Sequence, residues 1–158
     1  MAKRFSSYDG LVARDLVRFG LDHISAGVHL LQQHPFYFDS AGYLIHIGYE
    51  CLLKGWVLEV KGAFDGTHSI KRLRNQIPEL ASSNLPPEMN HIIGVIDDYE
   101  RLRYPNRNEP AEIGTDEMMA IKKLVNLTVQ LLPETLIITE SQAHATKGGR
   151  ILMKKKNH

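Results

Sequence analysis

The sequence predicts an all-α fold, an antiparallel bundle of four to five helices with an extended C-terminal tail. Three observations carry that expectation. Apolar residues recur at three- and four-residue steps through most of the first 132 positions, the period of a helix with one buried face. Proline or glycine interrupts the pattern at Pro35, Gly62, Pro78 and Pro105, which leaves helices joined by short loops. Strand-like composition gathers only after residue 133. Helices of this kind bury their apolar faces against one another. The chain therefore reads as a bundle over residues 1–132 and a basic tail or short hairpin over 133–158.

The first helix is expected from Ser7 to Gln33, with Leu16, Phe19, Gly20, His23, Ile24, Gly27, Val28, Leu30 and Leu31 on its inner stripe. Glycine costs about 1 kcal/mol relative to alanine in a helix, so two on a buried stripe point to close approach of a neighbouring helix. His34-Pro35 ends the element, because the residue before proline is pushed out of the α region. Asp39 or Ser40 supplies a cap for a second helix from Ala41 to Lys61, whose stripe is Leu44, Ile47, Gly48, Cys51, Leu52, Gly55 and Leu58. Thr67 or Ser69 starts a short third helix, SIKRLRNQI, which Pro78 ends. Leu85-Pro86-Pro87 opens a fourth, read as continuous to Arg103, with Ile92, Ile93, Val95, Ile96 and Tyr99 as its apolar positions and proline tolerated in its first turn. The last begins near Thr115, with Asp116 and Glu117 at the positive end of its dipole, and runs to Pro133. In the tail, TLIIT and KGGRILMK frame a hairpin around a Gly-Gly turn.

At 158 residues, 43% hydrophobic and 23% charged, the chain has the composition of one globular domain. No apolar run approaches the ~18–20 residues that span a bilayer, and MAKRFSSYDG lacks the apolar core of a secretory signal. A single cysteine, Cys51, excludes an internal disulfide and a multi-cysteine metal cage. A cytoplasmic protein without membrane partners is the expectation. Charge is uneven: residues 133–158 hold five cations against two carboxylates, a net +3 that leaves −2 on the rest. Such a tail attracts polyanions.

Three stretches share an order and spacing with a known pattern. AGYLIHIGYECLLKGWVLE, then THSIKRL, then DDYERLRYP follow one another over roughly residues 40–105. The first resembles the aromatic, small, Glu, Leu-Leu-Lys signature of HEPN domains. The second is similar to that family's His-Asp-Leu start, with Ser69 in place of the Asp. The third resembles its Arg-Tyr-Pro helix ending. The resemblance implies a compact helical bundle that dimerises, in toxin–antitoxin, CRISPR and phage-defence settings, sometimes beside a small nucleotidyltransferase. Its ribonuclease branch is metal-independent and places a histidine a few residues after the arginine. Here the stretches Asn106–Asn108 and Asn108–Pro110 hold none, so the usual acid–base group is missing. Arg18 and His23 have the spacing, but lie in the first helix.

The main functional expectation is therefore association: a homodimer that binds a protein partner, a nucleotidyltransferase or a toxin or antitoxin, or RNA or a nucleotide, with no cofactor and no metal. The alternative is a metal-independent endoribonuclease using Arg103 and nearby polar residues. Arg101, Arg103 and Tyr104 are binding candidates, since guanidinium groups take phosphate bidentately and tyrosine stacks on bases; the same cations also complement a helix C-terminus. Glu50 and Lys54 form an i, i+4 pair on the second helix, as a surface ion pair or the lining of a polar cleft. His46 shares that face, a metal arm without a second arm. His68 is read as orienting the turn into the third helix, Cys51 as a small hydrophobe, and the tail as a nucleic-acid tether.

Overall fold

The computed structural model describes residues 2–33, 37–104, 107–108, 113–137, 143–147 and 150–153. They are predominantly helical: α1 is Ala13–Gln33, α2 Phe38–Lys61, α3 Ile70–Arg74, α4 Pro87–Ile96, α5 Tyr99–Arg103 and α6 Thr115–Leu131. Two short antiparallel pairs accompany them. β1 (Arg4–Ser6) pairs with β2 (Ala63–Asp65), with Phe5 opposite Phe64, and β3 (Ala143–Lys147) pairs with β4 (Arg150–Met153). No described helix is long and apolar enough to cross a membrane.

The centre of the structure is the α1–α2 pair, which runs antiparallel. Gly55 lies against Ala13 and Val17, Gly48 against Gly20 and Ile24, and Gly27 against Ala41 and Ile45. A Cβ on Gly48 would sit 2.6 Å from the carbonyl oxygen of Gly20, and one on Gly55 2.6 Å from that of Ala13. The glycines are there because backbone meets backbone, as the sequence pattern implied. The seam uses only part of each apolar stripe. Phe19, expected to be inside, is 46% exposed, while Leu44, Ile47 and Cys51 are half-buried. An apolar arc wider than its seam leaves its outer edge toward solvent.

Behind this pair, Tyr49, Trp56, Ile70, Leu73, Ile92, Ile93, Ile121 and Leu124 join one core. Tyr49 donates its hydroxyl to Thr128 Oγ1 at 2.8 Å, and Thr128 donates to the Leu124 carbonyl at 2.7 Å, tying α2 to α6. Leu132 and Leu136 are buried in the same core, and Arg14 donates to the Thr135 carbonyl, so packing continues past residue 132.

Several boundaries differ from expectation for identifiable reasons. Residues Ser7–Asp9 form a separate 3-10 turn behind β1, closed by Gly10 in the left-handed region (φ 79°), and α1 starts only at Ala13. The β1–β2 pair is not legible in the sequence, because three-residue strands carry no periodicity. Neither Asp39 nor Ser40 caps α2: the helix already begins at Phe38, with Tyr37 in the capping position and no side-chain hydrogen bond there. Ser69 does cap α3, accepting from Arg72 N at 3.3 Å. The expected long fourth helix is two helices, broken at Asp97–Asp98. Both carboxylates cap helix starts, as detailed below. In the tail, Thr135 and Leu136 lie in a 3-10 turn rather than a strand, and β3 starts at Ala143. The Gly148-Gly149 turn and Lys154–Lys156 lie outside the described residues, as do Pro105 and Asn106.

Candidate functional site

Asp39, Tyr43, His46, Glu50 and Lys54 follow one another at four- and three-residue steps and so share one face of α2. That face is turned toward α3 and α5, which both pack on α2. Glu50 is its pivot. The residue is only 4% exposed, yet its carboxylate receives three partners. Lys54 Nζ donates to Oε1 at 2.5 Å, a ring nitrogen of His46 stands 3.3 Å from Oε2, and His68 Nδ1 lies 3.2–3.3 Å from both oxygens. Burial pushes the Glu50 carboxyl up. The hydrogen bonds from His46 and Lys54 and the charges of Lys54 and His68 outweigh it, and the group is held at about 2.

The rest of the site is set by how the chain arrives. His46 is fully buried, and its Nδ1–H donates to the Ile96 carbonyl at 2.6 Å, at the end of α4. The next residue, Asp97, turns its carboxylate to the start of α3, where it accepts from Ser69 Oγ and the Ile70 amide. Asp98 then caps α5, accepting from Arg101 N at 3.2 Å. A helix that continued through 97–98 would lose both caps, which explains the break. Through Asp97 the end of α4 fixes the turn that carries His68.

His68 stacks on Tyr99, with ring centroids 4.2 Å apart and planes 7° from parallel. Four residues on, Arg103 donates to the Tyr99 hydroxyl, and its guanidinium lies 5.2 Å from the Tyr99 ring and 5.0 Å from that of Tyr104. Burial raises the Tyr99 phenol, so it stays protonated at neutral pH and accepts from Arg103. A chain of contacts thus runs Lys54, Glu50, His68, Tyr99, Arg103, Tyr104, from buried carboxylate to open surface. The His68 side chain is 52% exposed. Next to Arg103 lies a hollow of about 380 Å³, lined by Asp39, Ser40, Tyr43, Leu102, Arg103 and Tyr104.

Of the residues expected from sequence, His46, Glu50 and Lys54 come together, and Arg103 and Tyr104 stand side by side. Arg101 points elsewhere, pairing with Asp98 of its own helix at 3.2 Å. Two members were missed. His68 had been read as a turn residue and Tyr99 as an apolar core position; the available signal for Tyr99 was its place four residues before Arg103. Arg18 and His23 do not form a site, for Arg18 pairs with Asp22 and the His23 ring donates to the Phe19 carbonyl. A second hollow of about 450 Å³, between α1 and α6, contains none of the expected residues. Burial, and then the Glu50 charge, push the Cys51 thiol up to about 11, against the Lys54 cation. Among the described residues no group of three or more His, Cys, Asp or Glu side chains is disposed to hold a metal ion.

Such an arrangement is suited to moving a proton beside a phosphate. A histidine oriented by a carboxylate through Nδ1 leaves Nε2 for proton transfer, and an adjacent arginine offers charge to a phosphoryl oxygen. Compared with family models, curated proteins and solved structures, the chain has no match among them.

Proposed function

We propose that this chain is a HEPN-like antiparallel helical bundle that binds RNA across α2, α3 and α5 and cleaves it without a metal. The observation that carries the reading is His68, held by buried Glu50 and stacked on the tyrosine that Arg103 contacts. The histidine missing after the Arg-Tyr-Pro ending is supplied from the turn before α3. His68 Nε2 takes the proton of a 2′-hydroxyl, and the 2′-oxygen attacks the adjacent phosphorus. The P–O5′ bond breaks, with the 5′-oxygen taking a proton from water, and the hydroxide so formed takes the proton back from His68, to leave a 2′,3′-cyclic phosphate and a 5′-hydroxyl. Arg103 stabilises the charge that grows on the non-bridging oxygens, and Glu50 keeps His68 in the tautomer that leaves Nε2 free to accept. The test is incubation of the purified protein with mixed-sequence single-stranded RNA in EDTA. Cleavage to cyclic-phosphate ends is expected, falling at least ~100-fold for His68→Ala and for Arg103→Ala. Absence of cleavage, or equal cleavage by the variants, overturns it.

The second reading is association without catalysis, as a homodimer or with a toxin, antitoxin or nucleotidyltransferase partner. Exposure of Phe19 on the outer edge of α1 and of Val12 just before that helix favours it. Light scattering that gives a strict monomer at every concentration removes the homodimer.

A further inference from the structure

We propose that the hollow beside Arg103 is a nucleobase pocket that selects guanine, an inference that rests on the RNA reading above and gives it a substrate preference. The volume, about 380 Å³, falls in the range of small-ligand sites. Its walls are those of a base-binding slot. Tyr43, Tyr104 and Leu102 provide apolar and aromatic faces, on which the splayed bases of single-stranded RNA stack. Arg103 is shared between this slot and the His68 site, since its guanidinium contacts both Tyr99 and Tyr104. A base in the slot therefore presents its own phosphate to the proton-transfer group.

Selectivity comes from Asp39, the one carboxylate among the described residues of the lining. An ionised carboxylate only accepts hydrogen bonds. Guanine presents two adjacent N–H donors, N1–H and the N2 amino group, which match the two carboxylate oxygens. Adenine and cytosine set a ring-nitrogen acceptor beside their amino group, which repels the second oxygen. Uracil offers a single imide N–H between two carbonyls. The Ser40 hydroxyl, beside Asp39, both donates and accepts and so tolerates any base edge. The pocket thus discriminates by charge and donor count rather than by size.

Isothermal titration calorimetry of the intact chain with GMP, AMP, CMP and UMP tests this. GMP is expected to bind at least about tenfold more tightly than the other three, as one bidentate base contact provides. Asp39→Asn should bring the four within about threefold, and Tyr43→Ala should weaken all four together. Circular dichroism checks that each variant is folded. Equal affinity for the four nucleotides, no binding at millimolar concentration, or a guanine preference that survives Asp39→Asn overturns the proposal. Cleavage that depends on His68 without a guanine preference defeats the pocket and leaves the ribonuclease reading standing. A guanine preference lost in Asp39→Asn, in a protein that cleaves no RNA, supports the pocket and defeats the ribonuclease.

Discussion

Replacing Glu50 by glutamine keeps the shape of the side chain and removes the charge that Lys54, His46 and His68 surround. The carboxyl is held at about 2 against an ordinary 4.5, a gap of 2.5 pH units. At about 1.36 kcal/mol per unit, the ionised form contributes roughly 3 kcal/mol to folding at pH 7. For a chain of this size that is a fall in Tm of about 10 °C. The pH dependence has a definite sign. A depressed carboxyl stabilises the fold above its unfolded value of 4.5 and loses that stabilisation as pH falls toward 2. The wild-type advantage over Glu50→Gln should therefore shrink from roughly 3 kcal/mol at pH 7 to about 1 kcal/mol at pH 3. Urea denaturation of both proteins at the two pH values reads this directly. An advantage below 1 kcal/mol at pH 7, or one that does not change with pH, would refute the account of Glu50 as a charged, buried pivot.

Two further predictions use the packing. Gly48→Ala places a Cβ 2.6 Å from the Gly20 carbonyl oxygen and 2.8 Å from Ile24 N, so α1 and α2 must separate; a loss of about 2 kcal/mol or more is expected in urea titration. In α4, Gly94 has nothing nearer than the Lys71 side-chain end at 3.9 Å, and Gly94→Ala should stabilise by about 0.5–1 kcal/mol in the same assay. Cys51, at about 11 rather than 9.0, should react with Ellman's reagent at pH 7 at least ~100-fold more slowly in the folded protein than in urea; equal rates would place the thiol in a different setting.

The residues explain where sequence reasoning succeeds and where it stops. The pairing of Gly20 and Gly27 with a neighbouring helix was legible, because a glycine on an apolar stripe has few other uses. The extent of burial was not: Phe19 satisfies the same periodicity as Ile24, and only the partner's position decides which of them faces in. The α4–α5 break was hidden too. Asp97 and Asp98 are ordinary mid-helix residues by local measure, and the break stabilises through the start of α3, 27–28 residues away in sequence.

By itself the sequence determined the helical class and the polar face of α2, since His46, Glu50 and Lys54 are fixed relative to one another by the 3.6-residue turn. Tertiary structure alone decided that His68 meets Glu50 and Tyr99. Those contacts depend on the direction of a turn, and that direction is set by a carboxylate arriving from the far end of α4. Local periodicity encodes which residues share a helix face; it carries no information about which loop is folded against that face.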